Sequence, residues 1–336
     1  MWTLPVNVQH QYDQLALYVQ SEGKLTDAYS VSYQVFDDSA GYPGTQVLPG
    51  AGAEAVTVTG KFATGCYGVY DSSTQLPWVP ASPIARGRVL WRYTLESGGP
   101  EHVVERPFAV VADTVTVAPK RTLALVQDLK DQDSTLASEF SDRALLAVLE
   151  QWTDRVERYC RARLTPVRET VKVRYRPSTS AFLKERLYGL ASFTDEGSSI
   201  AVPLTSLEVR GYTDRSYGNP RVDFSSRTYT AGRVEWSYAA IDGVWGNFDD
   251  ETLSTAIDIV AVTSDAIVRI LLDAYGQLNI PIGVIKREKT DGHEIEYATI
   301  STKVRTGMMS AMKSPELMDI LAHYRSPIGV EMTGGF

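Results

Sequence analysis

Between residues 10 and 112 apolar side chains recur with a period of two. Val31, Tyr33 and Val35 alternate with polar positions, and Leu15, Leu17 and Val19 share that spacing less cleanly. The period returns at Val56 and Val58, at Val89, Trp91, Tyr93 and Leu95, and at Val104, Phe108 and Val110. Alternation of this kind is what a half-buried strand requires. Clusters rich in Gly, Pro, Ser and Asp at 37–44, 48–54 and 71–83 separate the runs, as turns do. About seven short strands in about 100 residues, without a helical period, predict a β-sandwich.

From residue 120 the period changes. Leu123, Leu125, Val126 and Leu129 predict a short helix, and 131–135 (DQDST) a polar break. Leu145, Leu146, Leu149, Trp152, Val156, Tyr159 and Cys160 fall at helical spacing, so a longer helix is expected over about 139–163. Ser138 or Ser141 can cap it, and Pro166 stops it. Strands are expected again at 169–175, 198–204, 207–212 and 232–238. A third helix over about 250–276 carries a seam of Leu253, Ile257, Val260, Ile267, Leu271 and Tyr275, capped by Asp249 or Asp250. Asp291-Gly292 is a type I′ hairpin signal, and Pro315 opens a short last helix reaching Tyr324 before Pro327.

The change of period places a boundary near Ala118-Pro119. Residues 1–118 carry 6 Lys/Arg against 11 Asp/Glu, net −5, and the remainder 27 against 30, net −3. Gly65–Tyr70 followed by Arg88–Tyr93 resembles two core strands of an immunoglobulin-like module, with one Cys where antibody-type domains carry a pair. The expected class is therefore multidomain α+β. Residues 1–117 would form an immunoglobulin-like sandwich. Residues 118–336 would form a helical-bundle domain with a strand-rich insertion at 167–240 and a hairpin and arm at 284–336.

Length and composition agree with two globular domains: 336 residues, 43% hydrophobic and 22% charged. No apolar run reaches the roughly 18 residues of a membrane span, because Asp258, Asp265, Arg269 and Asp273 interrupt the most apolar stretch. No secretory signal is visible at the start. Cys66 and Cys160 read as buried thiols rather than a disulfide framework. The net charge of −8 opposes broad nucleic-acid coating but not a local basic patch. Arg outnumbers Lys by 23 to 10, and Arg is the cation favoured at interfaces.

Templates for catalysis do not fit. G-x-S-x-G, H-E-x-x-H, a phosphate loop and G-x-G-x-x-G after a strand do not occur. His10, His102, His293 and His323 are scattered, without Cys or His at ligand spacing. Asp131-x-Asp133-x-Thr135 begins like a calcium loop, but Leu136 stands where the sharp-turn Gly belongs. Asp249-Asp250-Glu251 is explained by helix capping. One charge feature is less ordinary. Residues 155–176 carry eight cations, Arg155, Arg158, Arg161, Arg163, Arg168, Lys172, Arg174 and Arg176, against Glu157 and Glu169. Residues 249–273 carry six acids, among them Asp249, Asp250, Glu251 and Asp258, against Arg269. Either the basic run is a solvated face, or the two patches meet across a subunit contact and register it. DNA binding ranks third, because no aromatic interleaving accompanies the run.

Three segments, in order, resemble the head–tail connector (adaptor, or neck) proteins of tailed bacteriophages. These are the helix–break–helix at 123–166, ending Val156-Glu157-Arg158-Tyr159 and Arg161-Ala162-Arg163-Leu164; VEWSYAAIDGVWGNF at 234–248 leading into the helix at 250; and the hairpin at 285–300 followed by a helix ending His323-Tyr324-Arg325-Ser326-Pro327. The likeness covers about 119–330. It implies a virion protein assembled in the host cytoplasm into a ring, typically of twelve copies, beneath the portal. Such a ring contacts the portal and the next neck or tail-completion protein, and passes double-stranded DNA without sequence specificity. It implies no cofactor and no turnover. The hairpin register would set Lys289 against Glu294 and Arg287 against Glu296, with Ile295 and Tyr297 on the other face opposite Glu288 and Lys286. That ribbon, with Tyr324, Arg325 and the terminal Phe336, is the expected contact with the portal or a neighbour. A second class is a carbohydrate-binding or adhesive virion protein using Tyr67, Tyr70, Trp78 and Trp91, although core packing is the favoured use of those rings. A glycoside hydrolase, needing only two placed carboxylates, ranks third.

Overall fold

The computed structural model describes residues 1–7, 15–49, 54–55, 61–71, 76–112, 120–164, 166–175, 180–211, 220–224, 236–246, 261–272, 288–290, 293–295, 307–322 and 324. Its first strands are β1 (Trp2–Pro5), β2 (Leu17–Tyr18), β3 (Gln20–Ser21), β4 (Lys24–Leu25), β5 (Ser30–Asp37), β6 (Thr45–Leu48) and β7 (Glu54–Ala55). They continue with β8 (Lys61–Ala63), β9 (Cys66–Tyr67), β10 (Tyr70–Asp71), β11 (Leu76–Pro77), β12 (Ile84–Thr94), β13 (His102–Val111) and β14 (Lys120–Arg121). Alternation works here as the sequence predicts. Val31, Tyr33 and Val35 of β5 and Val89, Trp91 and Tyr93 of β12 are all buried in one cluster.

These strands form a sheet in the order β14-β1-β13-β12-β5-β6, with β7 also on β5. β1 runs parallel to β13, while β12 is antiparallel to both β13 and β5. A smaller sheet, β2-β9-β8, contributes Leu17 and Tyr67 to the same core. Trp91 joins the two layers, because its indole N–H donates to the Leu15 carbonyl at 3.0 Å.

The chain then enters α1 (Val126–Gln132), α2 (Thr135–Glu139) and α3 (Asp142–Cys160), and later α4 (261–272), α5 (307–311) and α6 (Pro315–Ala322). Ser141 caps α3 by accepting from the Ala144 N–H at 3.3 Å. The helix stops before Pro166 is reached. Arg161 turns left-handed (φ 52°) and the Ala162 N–H returns to the Glu157 carbonyl at 3.2 Å, a Schellman-type closure. Leu129, Leu145, Leu149 and Trp152 meet Ile267, Leu271, Leu317 and Leu321 in a second core.

Between α3 and α4 lie β15 (Val167–Tyr175), β16 (Ser180–Phe182), β17 (Leu187–Asp195), β18 (Ile200–Val202), β19 (Leu207–Arg210), β20 (Arg221–Phe224) and β21 (Ser237–Trp245). β22 (Glu288–Thr290) and β23 (His293–Ile295) follow α4. The order β15-β21-β17-β4-β3, with β18 on β17, makes a second large sheet, and β16-β20-β19 a small one. Together they enclose a third core around Tyr175, Phe193, Ile241 and Trp245. Gly243 permits the closest β17–β21 approach, since a Cβ there would lie 2.6 Å from the Gly189 carbonyl oxygen.

This architecture corrects the expected class. Among the described residues strand exceeds helix, and the second part is not a helical-bundle connector domain. It is mixed α+β with many sheets, in which the helices form one of four cores among the described residues. The physical reason is non-local pairing. β3 and β4, from residues 20–25, extend the sheet built from 167–245, and the Leu190 N–H donates to the Gly23 carbonyl at 2.8 Å. β14, beyond residue 118, pairs with β1 at the edge of the first sheet.

Charged pairs fix the helices against the first sheet. Arg86 reaches Asp128 and Asp131, each at 2.7 Å, and Lys120 reaches Glu150 at 2.9 Å. Arg121 donates to Glu157 at 2.6 Å, and the same carboxylate accepts from the Leu164 N–H at 2.9 Å. Burial pushes the Glu157 carboxyl up, against the pull of Arg121 and that N–H.

Candidate interaction surface

The basic run at 155–176 separates into two groups once folded. Arg163 is held by Glu169 at 2.6 Å and Glu185 at 3.5 Å. Arg168 donates to Asp242 at 3.0 Å and to the Cys66 thiol at 3.1 Å. Lys172 pairs with Glu196. Arg163 and Arg168 are thus engaged by acids of their own subunit, whereas the Lys172 pair is open to solvent. The end of α3 differs. The Arg158 side chain is 84% exposed, and its partner Asp154 stands 3.8 Å away on the same helix face, itself open to water. A pair like that contributes little. Arg161 is exposed and Arg155 half-buried. The acidic half of the expected contact, Asp249, Asp250, Glu251 and Asp258, lies outside the described residues.

A feature missed from sequence joins the rest of the run to aromatic rings. β15 and β21 are antiparallel, with Arg174 opposite Tyr238 and Lys172 opposite Ala240. The Arg174 guanidinium lies 4.5 Å from the Trp236 ring centre, and the Lys172 ammonium 4.9 Å from that of Tyr238. Trp236 is 49% and Tyr238 47% exposed, so the ladder presents cations and ring edges to solvent. The sequence held both halves, Lys172/Arg174 and Trp236/Tyr238, each at a spacing of two. What it lacked was the register that brings segments some sixty residues apart together.

Asp195, at the end of β17, fixes this corner. Its carboxylate accepts from Ser198 Oγ at 2.6 Å and N at 3.0 Å, and from Ser237 Oγ at 2.6 Å. Burial alone would raise its pKa, but Ser198, Ser237 and Tyr175 together hold it at about 2.

The hairpin register agrees with the sequence reading: Lys289 faces Glu294 and Glu288 faces Ile295. Arg287, Glu296, Tyr297, Arg325 and Phe336 lie outside the described residues, as do the side chains of Lys289, Glu294 and Ile295. Tyr324 does not belong to a partner surface, because it is buried in the helical core. Tyr67, Trp78 and Trp91 are likewise buried in the first core, the use favoured for them over sugar stacking. The Tyr70 side chain lies outside the described residues.

For metals, the arrangement offers little. Among the described residues no three His, Cys, Asp or Glu side chains stand close enough to share an ion. Asp131 is engaged by Arg86, while Asp133 accepts from the Thr135 N–H at 2.8 Å and from its hydroxyl at 2.7 Å. Both thiols are buried and no disulfide links them. Among the described residues no helix is long and apolar enough to cross a membrane. Comparison of the chain with protein-family models and with curated proteins finds no match.

Proposed function

We propose that this chain is a structural, self-associating component of a tailed-phage neck, forming a ring beneath the portal that joins head to tail. The reading rests on the three connector-like segments taken in order. The structural observation that supports it best is the cationic end of α3, inside the first of those segments. Arg158 and Arg161 face solvent there while Arg163 and Arg168 are engaged by acids within the subunit. Exposed arginines with no strong partner of their own are suited to register a neighbour. The partners in this reading are further copies of the chain, the portal, the next neck protein and DNA in transit, and no reaction is catalysed.

Mass photometry and negative-stain imaging of the full chain, alone and with the portal of the same virion, test it. Closed rings are expected, and the double variant Arg158→Glu/Arg161→Glu should weaken assembly and flatten its salt dependence. A monomer under every condition, with and without portal, overturns the reading.

A further inference from the structure

The outer face of the second large sheet is a surface that the neck reading does not use. In β15, β17, β18 and β21 one set of alternate side chains, among them Val173, Phe193, Val202 and Ile241, packs into the third core. The other set lines up in rows across the strands. Lys172, Ala240, Thr194 and Ala201 form one row, and Thr170, Asp242 and Ser192 the next. On the other side of the Lys172 row, Arg174 stands opposite Tyr238. The short side chains of Ala240, Thr194, Ala201 and Ser192 make a low floor, half-buried at Thr194 and Ala240 and exposed at Ala201 and Ser192. Lys172, Arg174, Trp236 and Tyr238 are all exposed beside that floor.

The basic run lacks aromatic interleaving along the chain, but the strand register supplies it across the sheet. The Arg174 guanidinium lies over the Trp236 ring and the Lys172 ammonium over that of Tyr238. Among the described residues no acid pairs with Arg174. Lys172 pairs with Glu196, and both side chains are open to water, 58% and 37% exposed. Asp242 in the next row is met by Arg168. These rows therefore carry Arg168, Lys172 and Arg174 against Asp242 and Glu196, a surplus of one cation. So small a surplus does not hold a duplex through its phosphates, because that attraction grows with the number of phosphates neutralised. Exposed rings and a guanidinium held over an indole favour instead a polyanion whose flat bases are accessible, which is a single strand.

We propose that this sheet face binds single-stranded nucleic acid without sequence preference. Bases stack against the Trp236–Arg174 pair and Tyr238, and phosphates are met by Lys172 and Arg174. Binding of this kind belongs to one subunit and needs no ring, so it stands or falls apart from the neck reading. The test is fluorescence anisotropy of the full chain at low salt with a labelled six-nucleotide oligothymidylate. Competitors are the matching duplex, an abasic strand of the same length, and polygalacturonate as an acidic glycan. The oligothymidylate should bind more tightly than all three. Trp236→Ala should weaken it about tenfold, the loss of one stacked base, while Trp236→Phe keeps most of the affinity. Glu196→Gln, which releases Lys172 from its acid, should tighten binding severalfold. No saturable binding of the oligothymidylate overturns the proposal. So does equal or better binding of the duplex, the abasic strand or the glycan, or affinity indifferent to both Trp236→Ala and Glu196→Gln.

Discussion

Asp195→Asn is the sharpest probe of the corner where β15, β17 and β21 meet. The carboxylate is nearly buried and takes hydrogen bonds from Ser198 and Ser237, which hold its pKa at about 2 against the ordinary 3.8. A group whose pKa is depressed on folding stabilises the fold fully above its unfolded value, and loses that contribution as pH falls toward the folded one. The two values correspond to about 2 kcal/mol at pH 7 and roughly half of that at pH 3. Asparagine keeps one oxygen acceptor but not the charge, so the variant should lose about 2 kcal/mol at pH 7 and about half that at pH 3. Urea denaturation of both proteins at fixed concentration, from pH 7 to pH 3, reads the difference directly. Hydrogen exchange at 196–200 should accelerate as well, because a single amide oxygen can no longer serve both Ser198 and Ser237 as the carboxylate does. Equal midpoints at pH 7, or a gap that widens on acidification, would refute the reasoning.

Three further outcomes follow from packing and charge. Gly243→Ala should destabilise by about 1–3 kcal/mol, because the new methyl meets the Gly189 carbonyl and Leu187; thermal unfolding checks it. Arg161→Gly should raise stability by about 0.5–1 kcal/mol by relieving a left-handed arginine, while removing a cation from the proposed contact; urea midpoints and particle mass read the two effects separately. Arg121→Met strands the buried Glu157 carboxylate and should cost about 2–3 kcal/mol at pH 7. Burial already raises the Glu157 pKa, so protonation relieves the charge and the deficit should shrink as pH falls from 7 to 5 in the same assay.

Local signals set much of this protein. Alternation located β5, β12 and β13, Ser141 specified the start of α3, and turn chemistry at Asp291-Gly292 agrees with the pairing of Lys289 with Glu294. Each is decided within a few residues, by side-chain period, by capping or by a two-residue loop. β17 escaped that reading because irregularities near Gly189 and Ala191 break its period, and most of its side chains are buried on both faces. Alternation states which face is buried, but not which strand lies alongside. Only the tertiary structure could therefore place β4 beside β17, β14 beside β1, or Trp236 over Arg174. The same limit governs charge. Arg158 and Arg163 are equivalent in sequence, yet one stands in water beside Asp154 of its own helix and the other between two glutamates, because the chain beyond α3 folds back to bring Glu169 and Glu185 to Arg163.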